Sequence, residues 1–149
     1  MLDSSRSRQD QILQCYKEMD DIFHVYAVEH GLSDSAFWIL YTLCQAEKTY
    51  TQNDFCEEWY YPKQTVHSAV AGLIKTGYVT LEHVPGSRNS KGIVLTAKGS
   101  EYSDAHIQPI VTAERRAFAQ LSEEEQAIYF RLVRKHLDLF DREVKGLKT

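Results

Sequence analysis

The side chains best suited to chemistry stand between residues 60 and 100. In Pro62-Lys63-Gln64-Thr65-Val66-His67-Ser68-Ala69-Val70 and on to Lys75, helical spacing turns Val66, Val70, Leu73 and Ile74 toward one face. The opposite face carries Gln64, His67, Ser68, Ala71 and Lys75, with Lys63 and Thr65 near its start. An amide pairs with adenine, a hydroxyl bonds a groove edge or a phosphate, and an ammonium meets phosphate or guanine. Arg88 and Lys91 follow at the tip of a candidate hairpin, where they would reach a neighbouring groove or phosphate. The expected chemistry is hydrogen bonding to duplex DNA by Lys63, Gln64, Thr65, His67, Ser68, Lys75, Arg88 and Lys91.

Charge supports that expectation locally. The 149 residues carry a net charge of −4. Between Tyr60 and Ser100, however, Lys63, Lys75, Arg88, Lys91 and Lys98 face the single acid Glu82, a net +4 that leaves −8 for the rest. Positive charge is needed only on the docking face. Catalytic signatures are absent: the sequence has no Gly-rich phosphate loop, no His-Glu-x-x-His and no Gly-x-Ser-x-Gly. No catalytic residue, cofactor or metal ligand set is expected, and the protein is read as a non-enzyme.

The elements that must hold this face are mostly helices. Ser5 to Glu29 reads as a long helix with Ile12, Tyr16, Met19, Phe23 and Tyr26 in one apolar stripe, stopped by Gly31. Ser33 caps a second helix whose face carries Phe37, Leu40, Tyr41 and Cys44. Lys48-Thr49-Tyr50 reads as a connector. Thr51 caps a short third helix with Asp54 at the capping-box position and Phe55 and Trp59 inward. The fourth helix runs from Pro62 to Thr76 and stops at Gly77. Alternation then marks strands at Tyr78–Val84 and Ile93–Leu95 around a Pro85–Ser90 turn. Thr96 caps a fifth helix, Ala97 to Gln120, which Pro109 must kink or interrupt. Ser122-Glu123-Glu124-Glu125 opens a sixth, with Tyr129, Leu132, Val133, Leu139 and Phe140 expected inward.

Two short helices, a tight turn and a hairpin make a winged helix-turn-helix. The expected fold is mostly α with a small β-hairpin wing. One domain spans 1–149, with a DNA-binding lobe at 32–99 and helical dimerisation regions at 1–30 and 100–149. The partners expected are palindromic double-stranded DNA and a second copy of the chain. A polar start and apolar runs of about six residues, against the roughly 20 of a membrane span, point to a cytoplasmic protein.

The stretch from Pro62 to Val70, with Leu73 and Gly77-Tyr78-Val79, resembles the MarR family of winged-helix regulators. The resemblance continues through Ser87-Arg88-Asn89-Ser90-Lys91-Gly92-Ile93-Val94-Leu95-Thr96-Ala97-Lys98-Gly99, including the Leu-Thr-x-x-Gly junction after the wing. It covers Leu32 to Gly99. It implies a homodimer with interlocked terminal helices, the fourth helix in a major groove, the wing beside it, and repression relieved by a small, often aromatic or phenolic, effector. The family wing often carries Asp and two basic residues where this chain has Ser87-Arg88-Asn89, so Arg88 alone is the candidate for groove insertion.

Tyr16, Phe23, Tyr26, Phe37, Trp38 and Tyr41 are candidate lining for an effector pocket, with core packing as the alternative. Cys15, Cys44 and Cys56 form no Cys-x-x-Cys pair and are read as buried small hydrophobes. His24, His30, His106 and His136 lie on the long helices. A metal- or redox-sensing regulator, and a winged helix used only for protein contacts, remain alternatives.

Overall fold

Side-chain caps set most of the helix starts, and a computed structural model of the chain describes residues 7–148. Ser7 accepts from the Asp10 N–H and opens α1, Arg8–Glu29. The expected start at Ser5 lies outside the described residues. Ser33 opens α2, Asp34–Leu43, through the Ala36 N–H. Thr51 and Asp54 exchange hydrogen bonds in a complete capping box at the head of α3, Gln52–Glu58. Ser122 and Glu125 form another at the head of α7, Glu123–Gly146. Between them lie α4, Lys63–Lys75, and α5, Ala97–His106, which Thr96 caps through the Gly99 N–H. Of the kink or interruption expected at Pro109 the structure has the interruption, so the single helix expected at 97–120 is two: α5 ends at the Ile107 cap, and α6, Gln108–Phe118, begins with Pro109 in its first turn. A missing N–H is harmless there.

The sheet has three strands, β1 at Tyr50–Thr51, β2 at Val79–His83 and β3 at Lys91–Leu95, in the order β1-β3-β2 and antiparallel throughout. The hairpin pairs β2, Val79–His83, with β3, Lys91–Leu95, in a register that sets Leu81 opposite Ile93. The expected connector at Lys48–Tyr50 proves partly regular: Tyr50–Thr51 is β1, with Tyr50 opposite Ile93 and Thr51 opposite Gly92. Two residues are too few for an alternation signal, so only the tertiary pairing reveals this strand.

The chain divides into two compact units, Met1–Pro109 and Ile110–Thr149. In the first, Phe37, Ile39, Leu40, Phe55, Val66, Val70, Leu73, Val79 and Ile93 are all buried. The inward face of α4 is Val66, Ala69, Val70 and Leu73; Ile74, expected inward, is 42% exposed. Ala69 sits one turn from Val66 and Leu73 and takes the place assigned to Ile74.

The joint behind the wing is tightly locked. The Thr96 hydroxyl donates to the Gly77 carbonyl at 2.5 Å, and the Thr96 N–H to the Tyr78 carbonyl at 3.0 Å. A Cβ on Gly99 would lie 1.8 Å from that same Tyr78 oxygen. The Leu-Thr-x-x-Gly pattern is therefore a steric requirement where α5 crosses the end of α4.

Two expected apolar faces are open. On α1, Ile12, Tyr16 and Met19 are exposed, while Phe23 and Tyr26 are half-buried. In the second unit α7 buries no residue: Tyr129, Leu132, Val133, Leu139 and Phe140, expected inward, are all exposed, Phe140 by 62%. They share one face of α7 at helical spacing, and among the described residues of this unit that face stays exposed.

Candidate nucleic-acid interface

Three elements converge on a groove of about 790 Å³. The first turns of α4 contribute Lys63, Gln64 and His67; the wing contributes Leu81, Asn89, Ser90 and Lys91; α3 contributes Gln52, Asn53 and Cys56. Lys63, Gln64 and His67 are exposed, as an outward face requires. Pro62 makes no side-chain cap hydrogen bond to α4, and the first N–H groups of a helix have no partner within it. Those N–H groups and the helix dipole favour an anion at this end.

The remaining expected contacts distribute around that groove. Ser68 is exposed and accepts a hydrogen bond from the Gln64 amide at 3.3 Å, which couples the two side chains across one turn. It also borders a second cleft, of about 300 Å³, behind α4 with His30, Gly72, Tyr78 and Tyr102. Thr65 is half-buried and does not line the groove, while Lys75 is exposed at the far end of the helix. Arg88 is exposed on the wing loop. That loop is closed by the Val84 N–H on the Ser90 carbonyl and the Ser87 N–H on the Val84 carbonyl. Ser87 then accepts from the Ser90 N–H at 3.2 Å. A short hydroxyl at Ser87 thus braces the turn.

Sequence reading missed Gln52, Asn53, Asn89 and Ser90. The Thr51 cap signalled that Gln52 and Asn53 begin a helix; which side of α3 faces the wing depends on how α3 packs on α4.

The candidate effector residues behave differently. Phe23 lies 4.7 Å from Trp38, Trp38 lies 5.0 Å from Tyr41, and Phe37 is within 6.3 Å of Phe23, Tyr26, Trp38 and Tyr41, all between ring centroids. These five rings fill the junction of α1 and α2 with one another, and Tyr16 stands outside them, exposed. Burial raises the Tyr26 phenol pKa above its ordinary value, helped by the Glu29 carboxylate. Tyr26 donates to the His106 carbonyl at 2.7 Å, and Tyr102 to the His30 carbonyl at 3.0 Å. The His30 and His106 rings are thereby brought within 5.2 Å, while His24 pairs with Asp34 at 2.8 Å. Among the described residues no three His, Cys, Asp or Glu side chains gather to hold a metal. Cys15 is exposed, contrary to expectation, because it lies on the uncovered part of α1; Cys44 and Cys56 are half-buried. Among the described residues no helix is long and apolar enough to cross a membrane.

Residues 30–88 match the model of the MarR family. No curated protein matches the sequence. Among solved structures, the chain is similar to a MarR family regulator from Neisseria meningitidis at 20% identity and a TM-score of 0.77, covering 95% of this chain and 99% of that one. It is similar to a MarR family transcriptional regulator from Listeria monocytogenes complexed with 26mer DNA, at 17% identity and a TM-score of 0.70, over 96% and 95% of the two chains. A third likeness is to MepR of Staphylococcus aureus in its DNA complex, at 19% identity and a TM-score of 0.70, over 91% and 99%. With α4, a braced wing and the locked Thr96–Gly99 joint all present, the chain has the winged-helix fold of these MarR-family structures, and its residues 30–88 match that family's model.

Proposed function

We propose that this protein is a sequence-specific, duplex-DNA-binding transcriptional regulator that works as a cytoplasmic homodimer and represses until a small aromatic effector releases it. It acts by binding, with no catalytic step. The observation that carries the reading is the groove in which Lys63, Gln64 and His67 of α4 meet Asn89, Ser90 and Lys91 of the wing. In this reading α4 enters a major groove, Gln64 reads a base edge, and Lys63, Lys91 and Arg88 hold the backbone or an adjacent minor groove. His67 stands beside Gln64 in the groove, and Thr65, Ser68 and Lys75 are the proposed contacts outside it. Two lobes in a dimer would meet half-sites about one helical turn, roughly 34–36 Å, apart.

Support for the dimer is the set of apolar side chains left exposed on α1 and, separately, on α7. Residues 1–30 and 100–149 are the proposed dimerisation regions and 32–99 the reading lobe. Support for effector control is the cleft behind α4, which reaches Ser68, the hydrogen-bond partner of Gln64. A ligand seated there would act by preferring the conformation that binds DNA less well.

Affinity for a selected palindromic duplex and for random duplex, measured over 50 to 200 mM salt, tests the reading. The expected outcome is a preference of roughly 10³-fold or more for the selected site, with log affinity falling linearly against log salt. Equal, weak binding to both duplexes at every salt concentration would overturn it.

A further inference from the structure

Helices α1, α3 and α4 end in the same way except at one residue. After the cap His30 comes Gly31 at φ +69°, and after the cap Thr76 comes Gly77 at φ +81°. After the cap Trp59 of α3 comes Tyr60 at φ +56°, the only non-glycine residue at positive φ among those described. Left-handed backbone suits glycine and penalises a side chain with a Cβ, an aromatic one especially. Tyr60 recovers nothing inside the chain for that penalty. Its side chain is 89% exposed, and its hydroxyl has no hydrogen-bond partner among the described residues. The neighbouring Tyr61 is the half-buried one, and burial raises its phenol pKa. Folding alone would favour glycine at residue 60.

The position explains what the fold does not. Tyr60 lies in the turn between α3 and α4, three residues before Lys63 and four before Gln64, both of which line the groove. We infer that Tyr60 is a DNA-backbone contact: the strained turn holds its phenol outward so that the hydroxyl donates to a phosphate flanking the groove entered by α4. The inference rests on the DNA-binding reading above. It assigns a neutral contact beside the cationic ones, and a neutral contact has its own signature. Loss of a lysine contact removes a released counterion and flattens the salt slope, whereas loss of a tyrosine hydroxyl lowers affinity at every salt concentration and leaves the slope alone.

The test compares wild type, Tyr60→Gly, Tyr60→Phe and Lys63→Ala on selected and random duplexes over the same salt range, with melting temperatures for each. Tyr60→Gly is expected to melt at or above the wild type, by up to about 4 °C, since the strain is relieved and no packing is lost. Both Tyr60 variants are expected to bind both duplexes about tenfold more weakly, with an unchanged salt slope. Lys63→Ala is expected to reduce the slope by about one charge. Wild-type affinity in Tyr60→Phe and Tyr60→Gly overturns the inference, as does a loss confined to the selected duplex. A clear fall in the melting temperature of Tyr60→Gly overturns it too, because the ring would then serve the fold. Tyr60→Phe keeps the wild-type backbone, so it decides the hydroxyl's role even if the glycine variant folds poorly. Failure of the DNA-binding reading is separate: wild type itself would then show no preference between duplexes.

Discussion

Helices α4 and α7 carry the same kind of amphipathic pattern and meet opposite fates. On α4, Val66, Val70 and Leu73 are at most 3% exposed, covered by elements of their own unit. On α7, Phe130, Leu132, Leu137 and Phe140 are each at least half exposed. The two faces would look alike to any periodicity count. What separates them is whether the chain itself supplies the opposing surface. A closed face stabilises the fold; an open apolar face is what a docking surface would present.

The largest expected effect breaks the closed side. Leu73→Ala removes a buried side chain from the α4 core and should cost about 2–5 kcal/mol, lowering the melting temperature by roughly 10 °C. Thermal unfolding by circular dichroism checks it, and a loss under about 1 kcal/mol would mean that α4 packs loosely. Next comes the open side. Phe140→Asp should leave the lobe folded yet shift sedimentation at micromolar concentration from dimer to monomer, because a charge placed in an apolar interface is strongly unfavourable. A monomeric wild type would remove α7 as the dimer element.

The third effect concerns the outward face of α4. Gln64→Ala should lose about 1–3 kcal/mol of discrimination for the selected duplex and little on random DNA. Arg88→Ala should weaken both alike and reduce the salt slope by about one charge if it meets phosphate. Selective loss on A·T-rich flanks would instead place Arg88 in a narrow minor groove. Binding to operator, flank-swapped and random duplexes distinguishes these outcomes.

The smallest effect lies at the end of α3. Lys48 holds Glu58 at 2.6 Å, and the hydrogen bonds from Lys48 and Tyr50 set the Glu58 carboxyl below its ordinary pKa. A lowered folded pKa means stability that is present above the ordinary carboxylate range and lost as pH falls through the lowered value. The pair is exposed, so Lys48→Met should change the melting temperature by no more than about 1–2 °C at pH 7. The difference should vanish near pH 3, as titration of the melting temperature would record.

Local chemistry wrote several features legibly into the sequence. Thr51–Asp54 and Ser122–Glu125 announce their caps because the partners are three residues apart. The outward set on α4 follows from helical period, since core and groove lie on opposite sides of one helix. Thr96 and Gly99 were visible as a pattern, though its reason, the Tyr78 carbonyl 1.8 Å from a would-be Cβ, comes only from packing.

The amino-acid sequence alone therefore settled the order of most helices, the polar face of α4 and the hairpin, which follow from helical period, caps and turn chemistry. Tertiary structure decided the rest. It paired Tyr50–Thr51 with β3, turned Gln52 and Asn53 toward the wing, packed Phe23, Phe37, Trp38 and Tyr41 into one another, and left α7 uncovered. It also set Tyr60, in a turn that reads like any other, at a backbone angle suited to glycine. Each of those outcomes depends on residues far apart in the chain, or on a backbone angle that a residue's type does not disclose. Helical period reports which side chains share a face, but only packing reports what that face meets.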